Sequence, residues 1–179
     1  MFRSNGKKKL LALLLLLVLG WSLYRLFAMN DDGAGAEQGD AVKELFKVSF
    51  FHIELLSGLW QEAGKTDDAE ELDLLKQAAY AANFTHGRFV LAMGTGQVTS
   101  LESIPLLLQY ILKLQISGDK KLNEAERKVL DDTAALFKQI EETYEMLLSE
   151  RETVISSQNE QLQSIDRDIA EMLREKLLE

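Results

Sequence analysis

The chain has 179 residues, 46% apolar and 27% charged, with no cysteine and a single proline. That composition suits a globular protein built on long helices, and the missing thiols exclude disulfides, thiolate metal sites, a catalytic cysteine and lipidation at an N-terminal cysteine. The formal charge is −9, yet the first 30 residues hold Arg3, Lys7, Lys8, Lys9 and Arg25 and no acid, so the rest of the chain carries −14; so acidic a domain repels phosphate backbones and anionic headgroups, and no nucleic-acid partner is expected.

Residues 1–30 are predicted to be a membrane anchor. The apolar run from Leu10 to Tyr24 spans about 22 Å as helix, short of the roughly 30 Å hydrocarbon core. Extension to Met29 closes the gap if Arg25, in the last turn, snorkels to the headgroups. Lys7, Lys8 and Lys9 flank one end, and Trp21, Tyr24 and Arg25 form an interfacial cluster at the other. Four cations before the span and one at its far end keep the N-terminus cytoplasmic and place residues 31–179 outside, as a single-pass protein. An A-x-A pattern at Ala34–Ala36 leaves a cleaved signal peptide and a secreted soluble protein as an alternative, although it lies far beyond the apolar run.

Residues 31–40, DDGAGAEQGD, read as a flexible linker. A first helix is predicted over 41–63, with Val42, Leu45, Phe46, Ser49, Ile53, Leu56 and Trp60 as its stripe and Val48, Phe51, Leu55 and Leu59 widening it. Asp67 with Glu70 forms a capping-box pattern opening a second helix over 68–93. Its alanines at 78, 79, 81 and 82 permit close helix packing, and Tyr80, Asn83 and His86 could line a small-ligand pocket against the first helix. A third helix over 104–117 is apolar almost all round and too short to span a bilayer, which makes it a buried central element.

Asn123 with Glu126 opens a fourth helix. Thr133, Phe137, Ile140, Tyr144, Leu147, Arg151, Val154 and Gln158 keep 4-3 spacing, and the register slips at 156–159 before Leu162. Either one long helix carries a stutter there, or a break capped by Ser157 and Glu160 yields a helical bundle over 41–156 and a C-terminal amphipathic helix over 157–179. The stripe Leu162, Ile165, Ile169, Met172, Leu173 and Leu177, bordered by mixed charges, is the candidate interaction surface, with folding back onto the bundle as its rival. The expected fold is all-α: a transmembrane helix followed by an antiparallel bundle of four to five helices with a coiled-coil-like C-terminal helix.

Catalytic and metal chemistry find little support. His52 and His86 lie at different heights along a helical hairpin, the acids at 67–71 are explained by helix capping, and Gly94-Thr95-Gly96 lacks the rest of a phosphate loop. Asn83-Phe84-Thr85 matches a glycosylation sequon inside a predicted helix. The expectation is therefore a non-enzymatic, membrane-anchored extracytoplasmic protein without cofactor that acts by protein–protein interaction, as an envelope accessory or scaffold. Its partners are membrane lipid through the N-terminal helix and an unknown protein, with homo-oligomerisation open. A sensor-like bundle binding a small ligand between the first two helices is the alternative.

Overall fold

Helix starts and stops follow local chemistry in the computed structural model, which describes residues 39–94, 96–117 and 121–178. The anchor expected at residues 1–30 and nearly all of the linker lie outside these. The helical bundle is the unit Val42–Glu179, set apart from Met1–Ala41. Among the described residues every regular element is helical, and none is long and apolar enough to cross a membrane.

Helix α1 occupies 42–63 of this unit. A short 3-10 turn, Ala69–Leu72, leads into α2, Asp73–Met93. Asp68 caps that turn by accepting from the Glu70 amide at 2.9 Å. Asp67 is the cap that the sequence pattern predicts; its carboxylate instead pairs with Arg127 at the start of another helix. Helix α3 is Ser103–Ile116, with Pro105 in its first turn, where no amide proton is required. Helix α4, Glu124–Glu145, opens with a complete capping box between Asn123 and Glu126.

The largest departure from the sequence reading comes after α4. The heptad-like spacing predicts helix through Leu147, Arg151 and Val154 up to a break at 156–159. Instead α4 ends at Glu145, and residues 146–155 form a tight reversal before α5, Ser156–Leu178. Leu147 O accepts from Ile155 N, and Ser149 and Thr153 are bonded through backbone and hydroxyls, so Leu148 and Val154 pair as an isolated bridge. Glu152 takes the left-handed conformation at φ 61°, a position that normally selects glycine and thus gives no warning in the sequence.

Consecutive helices run in opposite directions. Phe46 near the start of α1 meets Phe89 near the end of α2. Gln115 at the end of α3 donates to Ala69 O and Asp73 at the start of α2. Phe46 and Trp60 of α1 lie against Tyr144 and Phe137 of α4 in reverse order. Helices α3 and α5 consequently lie side by side in the same direction, with Ser103 on Asp166 and Lys113 on the Lys176 carbonyl. The core is continuous: Trp60, Phe89, Phe137 and Tyr144 are fully buried, and residues from all five helices surround them.

The C-terminal helix belongs to this core. Leu162, Ile169 and Leu173 are completely buried, Ile165 nearly so, Leu177 packs against them and Met172 is half-buried. The stripe expected to meet a partner is therefore covered by the chain itself. The physical reason is the short reversal at 146–155, which returns α5 along α4 and α3, where its apolar side finds an apolar surface of matching length.

Candidate functional site

Three places in the unit combine chemistry with geometry. The first is a buried polar chain at the centre of the helix ends. Ser49 Oγ lies 2.7 Å from Tyr144 Oη, His86 Nδ1 lies 3.0 Å from the same oxygen, and His86 Nε2 lies 3.0 Å from the Thr99 carbonyl. A carbonyl only accepts, so Nε2 carries the histidine proton and Nδ1 is the acceptor for the Tyr144 hydroxyl. Tyr144 then receives the Ser49 hydroxyl proton, and every member points its donor the same way. Burial pushes the imidazole down to about 4 and drives the phenol above its ordinary range, so both groups are neutral at neutral pH. Phe46, Phe50 and Phe89 surround the phenol. The chain is closed at both ends, leaving no free acid, base or nucleophile. Its role is to fix α1, α2, α4 and the loop after α2 in one arrangement.

The sequence pattern groups Tyr80, Asn83 and His86 around one pocket. The structure separates them: His86 faces the core, while Tyr80 is 54% exposed and Asn83 is exposed on the outer side of α2. His52, the other histidine, is half-buried with its ring edge against Phe51 and shares no partner with His86. Thr85 of the sequon spends its hydroxyl on the carbonyls of Ala81 and Ala82.

The second place is a polar groove of about 650 Å³ between the loop preceding α3 and the first turns of α5. Thr99, Ser100, Glu102, Asn159, Gln163 and Arg167 contribute to its walls, with Asp166 at its base. Asp166, nearly buried, accepts from the Glu102 and Ser103 amides at 2.8 and 2.9 Å and from the Ser103 hydroxyl at 2.5 Å. It caps α3 from another helix, and Asn159 Oδ1 takes the Thr99 amide in the same manner. Desolvation raises the Asp166 carboxyl above its ordinary value, and these hydrogen bonds counter part of that rise. In the sequence Asp166 reads as a surface charge beside the stripe. Its position between Ile165 and Ile169 on an inward face is the available signal.

The third place is the outside of the α1–α2 hairpin. Val48, Phe51 and Leu55 of α1 are 46%, 58% and 43% exposed, and Leu74, Tyr80, Phe84 and Leu91 of α2 are more than half exposed. Arg88 lies over the Phe84 ring at 5.0 Å. Of the residues expected to widen the core stripe of α1, Val48, Phe51 and Leu55 thus stand outside the core, whereas Leu59 packs against it.

No family model, curated protein or solved structure matches this chain. The buried groups of the first two places, His86, Tyr144 and Asp166, are hydrogen-bonded within the chain; the aromatic and aliphatic side chains of the third have no protein surface over them in this unit. Isolated exposed apolar residues are ordinary, whereas rows of large ones on two adjacent helices mark interaction surfaces.

Proposed function

We propose that this chain is a membrane-tethered, extracytoplasmic helical bundle that acts without catalysis, by binding a protein through the outer faces of α1 and α2. The tether is the basic, apolar segment at residues 7–27, whose charge asymmetry supports an outside location for residues 31–179. The observation that carries the binding role is the set of exposed side chains Val48, Phe51, Leu55, Phe84 and Leu91, in a bundle whose C-terminal stripe is consumed by its own core. An envelope accessory or scaffold role follows from such a surface held close to a bilayer.

The absence of native cysteine makes the test direct. Phe51→Cys and Phe84→Cys each place one thiol on the proposed surface of the full chain. In intact cells a membrane-impermeant maleimide should label both variants slowly, and labelling should accelerate severalfold once the protein is purified away from its partners. Fast labelling in both settings would remove the binding surface. Labelling only after the cells are opened, at a rate unchanged by purification, would remove the extracytoplasmic location and the surface together.

A further inference from the structure

Helix α2 carries two stripes. Leu75, Ala79, Ala82, His86 and Phe89 are buried in the core. Leu74, Gln77, Ala81, Phe84, Arg88 and Leu91 form a second row with unbroken 3-4-3-4-3 spacing, the spacing of a seam that meets another helix. Leu74, Phe84 and Leu91 of that row are 64%, 62% and 62% exposed. The row runs about 26 Å along the helix.

We infer that this row is an isologous contact: it pairs antiparallel with the same row of α2 in a second copy of the chain. The inference rests on the outer faces of α1 and α2 being the binding surface, and it names the partner for one of them.

Size and charge select a second copy. In an antiparallel pair centred between residues 82 and 83, Ala81 stands opposite the partner's Phe84, so the smallest member of the row receives the largest. The two-fold axis repeats that fit. Leu74 stands opposite the partner's Leu91 at both ends, and Gln77 meets the partner's Arg88 between them. Arg88 has no ion pair among the described residues, and this setting brings it within one turn of the partner's Asp73, a carboxylate it would share with the partner's Lys76. The opposite orientation fails on both counts, since it stacks Phe84 on Phe84, leaves Ala81 facing Ala81 and sets two Arg88 guanidinium groups together. A polar pair among apolar layers is also what fixes a single register, at some cost in affinity. One helix pair is a small interface, below the usual size of a stable complex, so the tether matters: confinement to a bilayer raises the effective concentration of the two copies.

The test uses the full chain in phosphatidylcholine vesicles, with Leu74→Cys and Leu91→Cys variants and a short bismaleimide. An antiparallel pair brings residue 74 beside the partner's residue 91 but keeps the two copies of residue 74 about 26 Å apart. Vesicles holding both variants should therefore give cross-linked dimer, and vesicles holding either alone should give almost none. Adding Phe84→Glu to both variants should abolish the product while the helical circular dichroism stays unchanged. Efficient cross-linking of Leu74→Cys alone would overturn the antiparallel pairing. No product in any sample would overturn self-pairing. If Phe84→Cys is nevertheless shielded in intact cells, the surface serves a different protein, and the broader binding role survives the failure of this one.

Discussion

His86 should make the bundle acid-sensitive in a measurable way. Burial lowers the imidazole from its ordinary 6.5 to about 4, so the unfolded chain binds a proton at this site at a higher pH than the folded one. A base with a depressed folded value contributes stability that is complete above 6.5, declines as pH falls from 6.5 to 4, and then levels off. At 1.36 kcal/mol per unit, that window is worth about 3 kcal/mol, of which about 2.5 kcal/mol is already lost at pH 4.5. Protonation has a clear structural target: it puts a hydrogen on Nδ1, which lies 3.0 Å from a Tyr144 hydroxyl already directed at it. Urea unfolding of the full chain at pH 7.0 and 4.5, compared with His86→Gln, isolates the effect. Asp166, whose raised carboxyl gains protons more readily when folded, contributes in the opposite direction to both proteins and cancels in the comparison. The variant should be weaker at pH 7.0 but lose about 2.5 kcal/mol less than the parent on acidification. Equal acid losses in the two proteins would refute the buried, neutral histidine.

Asp166→Ala removes a three-point cap from α3 and should lower stability by about 2 kcal/mol, read by thermal melting, with faster hydrogen exchange at the Glu102 and Ser103 amides. Glu152→Gly relieves a left-handed backbone at the loss of a partly exposed ion pair with Lys43, so a net gain of about 0.5 kcal/mol is expected in urea titrations. Ile169→Ala should cost about 2–5 kcal/mol in the same titrations, because its side chain lies wholly inside the core; a near-neutral result would mean that α5 is not packed on the bundle. Phe84→Glu, by contrast, should change monomer stability by no more than about 0.5 kcal/mol, as expected of an exposed position.

Periodicity carries most of the helices. Asn123 and Glu126 announce the start of α4, Pro105 places the start of α3, and the Ile53, Leu56 and Trp60 row faces the core as its spacing requires. The reversal at 146–155 is illegible for a physical reason: Leu147 and Val154 stay on the heptad count although the chain has left the helix, and the left-handed position is filled by Glu152 rather than glycine. The candidate site is harder still. Ser49, His86 and Tyr144 come together across separations of 58 and 95 residues, and nothing local distinguishes a tyrosine that fills a core from one whose hydroxyl holds three helices. Asp166 escapes a sequence reading because a charge is normally a surface feature; its partners are backbone amides more than 60 residues away. The outer row of α2 becomes visible only after the inner row has been assigned, since both share one helix and overlap in composition.

The cap on α3 also sets an order of events. A chain that emerges N-terminus first presents α3 with the amides of Glu102 and Ser103 unoccupied until Asp166, near its far end, is released. Asn159 likewise reaches the Thr99 amide only then. Until α5 is delivered, those amides have only water as partner, so the start of α3 is the part of the bundle that closes last. Truncation just before α5 would strip the start of α3 of its cap and uncover the core that Leu162, Ile169 and Leu173 close.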